Sequence, residues 1–156
     1  MATPREIISA HEQHYPDSCA ASGMEMLLKL HGLEWPAFRG LQDLYGDTNI
    51  GFEKLADLLP YGIEAKDHEP SVNDGFAKIE QEARAGRFPL VSLRGPVKWH
   101  IWVAVIEDGR LRFLSRDFGN PSVLEQENDS GIRRRLIAHR QNKVHFVTYE
   151  IEEKET

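Results

Sequence analysis

The sequence predicts an α+β domain in which an N-terminal helical part packs on a C-terminal antiparallel sheet. Between residues 18 and 85, apolar side chains recur at helical spacing between capping and terminating residues. From 88 to 151 they fall instead into short runs of β-branched and aromatic residues separated by turn signals. Helices gathered ahead of strands, rather than alternating with them, mark α+β rather than βαβ architecture. The 156 residues, 40% of them hydrophobic, suit one domain over 1–156, helical at about 11–86 and strand-forming at about 87–151.

The first helix is expected from Ser18 or Cys19 up to a Gly32 terminator. Pro16 blocks an earlier start and Asp17 and Ser18 are good N-caps, while Ala20, Met24, Leu27, Leu28 and Leu30 give a broad apolar face. A second helix is read near 35–45 ahead of Gly46, and a third over 51–59, stopped by Pro60. A fourth, about 73–85, sets Phe76, Ile79 and Ala83 on one side and ends at Gly86. Residues 88–93 (FPLVSL) then read as a buried strand, and 100–106 (HIWVAVI) as the central strand of a sheet. Glu107-Asp108-Gly109 turns the chain into a strand at 110–115, and 144–151 forms the last strand. The polar stretch 120–142, with Arg133-Arg134-Arg135, reads as a loop plus a short helix whose arginines are a solvated patch.

Composition removes several classes of function. Nineteen Lys+Arg against 25 Asp+Glu leave a net charge of -6, which argues against nucleic acid or anionic lipid as the main partner. No apolar run approaches the roughly 18 residues of a membrane span, so no membrane partner is expected. The N-terminus lacks the apolar stretch of a cleavable signal, so a cytoplasmic location is expected, with signal-independent export as the alternative. A single cysteine excludes an internal disulfide framework and leaves Cys19 as core filler or nucleophile.

Cys19 stands at the predicted start of a helix. Unpaired N–H groups and the positive end of the helix dipole favour a thiolate there, lowering a pKa of roughly 8.5 toward the ~3.5–7.5 of activated cysteines. Six residues earlier, the Gln13 amide is placed to join the Cys19 main-chain N–H as an oxyanion hole. A thiol nucleophile needs a base, and the base needs an orienting group. His100 opens the most hydrophobic strand of the chain, and Asp117 closes the next one. Their numbers sum to 217, which centres a hairpin between Asp108 and Gly109 and sets them side by side. Alone, Cys19 before two alanines reads as packing and His100 as a satisfied core histidine. Together with Gln13 and Asp117 they read as a nucleophilic site.

The segments QHYPDSCAASGMEMLLKLHG and HIWVAVIEDGRLRFLSRDFGNP resemble the papain-like cysteine peptidases, most closely the compact bacterial branch that removes double-glycine leaders from bacteriocins. The likeness covers roughly residues 11 to 121 and includes FEKLADLLPYGIEAK, similar to that family's helix and following strand, and GRFPLVSL, similar to a later strand. It implies a papain-like fold, a Cys19–His100–Asp117 triad with Gln13 at the oxyanion, a peptide or protein substrate and no cofactor. Ala20 stands where the family usually has Gly. Pro121 follows Asp117 by four residues instead of one, which keeps Asn120 open as the orienting residue.

Other readings remain open. A zinc site from His11, His14 and Cys19, completed by His31 or His100, fits no common spacing, so no metal is expected. The fold in a silent binding or adaptor role, and a delivered effector with deamidase or transglutaminase-like chemistry, are the alternatives to a peptidase. Trp99 and Trp102 are assigned to the core or to the wall of the site.

Overall fold

The computed structural model of the chain describes residues 3–10, 19–32, 62–94, 99–116, 124–138 and 140–152, excepting the side chains of 19–22, 62, 63, 93, 94, 99, 100, 116, 124, 125, 151 and 152. Among these residues the helices are α1 (Pro4–Ala10), α2 (Cys19–Leu30), α3 (Val72–Arg84) and α4 (Asp129–Ala138). The strands are β1 (Gly62–His68), β2 (Leu90–Arg94), β3 (Trp99–Glu107), β4 (Arg110–Arg116), β5 (Leu124–Glu127) and β6 (His145–Glu152). They form one sheet in the order β1-β6-β2-β3-β4-β5, with every neighbouring pair antiparallel. The protein is therefore α+β, as its sequence predicts.

β3 lies inside the sheet and is buried from Ile101 through Val105, which accounts for its unbroken apolar run. The pleat sends its residues to opposite faces. Val91, Trp102, Ala104, Phe113 and Phe146 face α3 and α4, where they pack with Phe76, Ile79, Ala83, Ile132 and Leu136. The register puts Leu90, Val103, Leu114 and Val147 on the other face, the side of α1 and α2, whose buried apolar side chains are Ile8, Met24, Met26, Leu27 and Leu28. Two helical layers thus enclose the sheet. Arg5 of α1 fastens one of them, donating to both carboxylate oxygens of Glu107 at 2.9 and 2.7 Å and to Gln126 at 2.9 Å. That hydrogen-bonded pairing holds the Glu107 carboxyl below its ordinary range.

Several expectations match. α2 begins at Cys19 and stops before Gly32, whose φ of +67° is the left-handed terminator. The β3–β4 turn places Asp108 at φ 51° and Gly109 at φ 76°, both positive as a type I′ hairpin requires. Others differ. β1 falls in a stretch whose own pattern reads as helical and in which only the family resemblance marks a strand after the helix, because GIEAKDH is a polar edge strand whose ladder comes from β6, far along the chain. β5 (LEQE) lies in the expected loop 120–142, ahead of α4, its pairing supplied by β4. The short helix α1 was not expected. The arginine patch is exposed at Arg134 and Arg135, as expected, but two of its three guanidinium groups also lie on core aromatics. Arg133 lies 4.4 Å over the Phe76 ring and Arg135 5.1 Å over Trp102, and Arg135 also pairs with Glu127 at 3.0 Å. The helices expected at 35–45 and 51–59 lie outside the described residues.

α3 approaches the sheet so closely that a Cβ on buried Gly75 would overlap Val144 Cγ1. Gly75→Ala is expected to cost about 1–3 kcal/mol through overpacking, read as a melting temperature lowered by several degrees. An unchanged melting curve would show that α3 can shift outward freely.

Candidate active site

Cys19 is the first residue of α2, so its main chain belongs to the turn whose N–H groups lack helical partners and carry the positive end of the dipole. α2 packs against β3. His100 is the second residue of that strand and pairs with Leu93 of β2. The nucleophile candidate and the base candidate therefore stand on elements in contact, though 81 positions separate them in sequence.

The hairpin register expected for His100 and Asp117 holds where it is formed. Glu107↔Arg110, Ile106↔Leu111, Val105↔Arg112, Ala104↔Phe113 and Val103↔Leu114 all sum to 217. The ladder ends there, three steps before positions 100 and 117. β4 continues to Arg116 paired with β5, and the Ser115 hydroxyl donates to the Ile101 carbonyl at 2.5 Å. A side-chain bond thus takes over from the main-chain ladder as β3 and β4 approach the candidate site. Gln13, Asp117 and Asn120 lie outside the described residues, as do His11 and His14 of the zinc alternative. Among the described residues no group of three or more His, Cys, Asp and Glu is arranged to hold a metal ion.

The far end of α2 is held by residues that no local sequence pattern connects. His31, just past the helix, brings Nε2 to 2.7 Å from the Tyr149 hydroxyl of β6. That hydroxyl accepts the Phe88 N–H at 2.9 Å and keeps its own proton to donate to His31 Nε2 in the tautomer that carries its hydrogen on Nδ1. The His31 ring also meets Phe88 and Tyr149 edge-on, each at 5.4 Å. Burial lowers the His31 pKa from 6.5, in keeping with the neutral ring, and burial raises that of Tyr149. A histidine beside a helix-ending glycine was the only local signal, and it does not name a partner 118 residues away.

No family model, curated protein or solved structure matches this chain. Among the described residues no helix is long and apolar enough to cross a membrane.

Tyr149→Phe leaves the Phe88 N–H and the His31 nitrogen without their shared partner, and is expected to cost about 1–3 kcal/mol in denaturant unfolding. Because the folded His31 pKa lies below 6.5, the unfolded chain takes up that proton first. The His31 contribution to stability is therefore full at neutral pH and falls as the pH drops through about 6.5. His31→Gln is expected to flatten that part of the stability–pH curve, and an unaltered slope would contradict the assignment.

Proposed function

We propose that the protein is a small cysteine hydrolase in which Cys19 is the nucleophile and His100 its base. The observation that carries this reading is the packing of the helix headed by Cys19 on the strand near whose start His100 stands. The resemblance of both segments to papain-like peptidases and the 217 register between β3 and β4 support it. In this mechanism His100 takes the thiol proton as the sulfur bonds to the carbonyl carbon, and then delivers it to the departing amine as the C–N bond breaks. Water repeats the sequence on the thioester, releasing the acid and restoring the thiol. Asp117, or Asn120 in its place, orients the ring, and Gln13 with the Cys19 N–H stabilises the oxyanion. The substrate class is a peptide or isopeptide bond, with a side-chain amide as the second choice.

Alkylation of the native protein tests the convergence of sulfur and imidazole. Iodoacetamide or an epoxysuccinyl reagent near neutral pH is expected to modify Cys19 at least about tenfold faster than a free thiol, followed by intact mass. His100→Ala is expected to return the rate to the free-thiol value. Labelling no faster than a free thiol, or a rate indifferent to the His100 substitution, would overturn the proposal.

A further inference from the structure

A groove of ≈ 750 Å³ runs between α3 and the edge strand β1, on the sheet face covered by α3 and α4 rather than the one covered by α2. Its floor is the alternating face of the β1–β6 ladder, where His68 pairs with Phe146, Lys66 with Thr148 and Glu64 with Glu150. Its wall is Lys78 and Glu82 of α3, followed by Arg87.

Three cations (Lys66, Lys78 and Arg87) and three carboxylates (Glu64, Glu82 and Glu150) line this groove, and they are unevenly distributed along it. Glu82 is ion-paired with both Lys78, at 3.1 Å, and Arg87, so two cations share one carboxylate. Exposed Lys66 has no carboxylate partner among the described residues. In the same groove the His68 ring is fixed by stacking on Phe146, with centroids 4.9 Å apart and planes 13° apart, and by a 2.6 Å hydrogen bond between Nε2 and Thr148 Oγ1. The charged groups acting on it are Lys66 and Asp67 from β1 and Lys78 and Glu82 from α3, while β6 contributes the uncharged Phe146 and Thr148. Burial, then Lys66 and Lys78, hold its pKa below the ordinary histidine value. At the other end, Glu64 faces Glu150 directly across the ladder, a like-charge pair that repels further negative charge.

We propose that this groove binds one oxyanion, the phosphate or carboxylate of a small ligand, between Lys66, Lys78 and His68, with Glu64 and Glu150 excluding polyanions. An anion between the two lysines screens their effect on the ring, so binding draws a proton onto His68. This site is independent of the hydrolase reading.

The test is an NMR titration of the histidine resonances of the full chain with inorganic phosphate and, separately, acetate at constant ionic strength, with His68 assigned through His68→Gln. A saturable shift of the His68 signal is expected, with its pKa raised by bound anion. Lys66→Gln is expected to weaken binding about tenfold, and Lys66→Arg to retain it. A response to either anion or both supports the site and identifies the headgroup it takes. No saturable shift with either anion, the same affinity in Lys66→Gln and Lys78→Gln as in the parent, or markedly tighter binding of polyphosphate than of phosphate overturns it.

Discussion

Burial of β3 on both sides is the constraint that organises the molecule. A strand with no polar residue between Ile101 and Val105 offers no wetted face, so the sheet requires a helical layer above and another below. Its main-chain groups are satisfied by β2 and β4, which confines the remaining strands to the flanks. The polar edge strands β1 and β5 follow from this arrangement, because they need apolar contact on less of their surface.

The helical layers are fixed by polar contacts at their seams as well as by oily packing. Arg5 and Glu107 join α1 to the end of β3, and His31 and Tyr149 join the end of α2 to β6. Glu82 gathers Lys78 and Arg87 at the end of α3. Burial by itself would raise the Glu82 pKa, but hydrogen bonds and charge from the two cations outweigh it and leave the carboxylate ionised. Anchoring at the far end of α2 bears directly on the proposed chemistry. A nucleophile at a helix tip keeps its position relative to a neighbouring strand only if the helix cannot slide or tilt.

Strong local signals were legible. Met24, Leu27 and Leu28 with the Gly32 stop defined α2, Phe76 and Ile79 defined α3, and Asp108-Gly109 fixed the hairpin register. LEQE was not legible as a strand and GIEAKDH only through the family resemblance, since a polar edge segment takes its structure from a partner strand and not from its own period. Of the candidate site, the helix-heading place of Cys19 and the strand place of His100 could be read from local pattern. The His31–Tyr149 clip and the groove of Lys66, His68 and Lys78 could not, because each joins residues whose separation in sequence carries no period.

The sequence by itself determined α2, α3 and the strands β2, β3, β4 and β6, where α2 begins, and which residues oppose one another across the β3–β4 turn. Caps, glycines and periodicity act over a few residues, and a two-residue hairpin leaves only one register. Tertiary structure alone decided that β6 inserts between β1 and β2, that α1 and α2 take one face of the sheet while α3 and α4 take the other, and that two of three consecutive arginines lie on core aromatics. Those outcomes depend on which distant surfaces bury the most apolar area together, a quantity that belongs to the folded chain and to no segment of it.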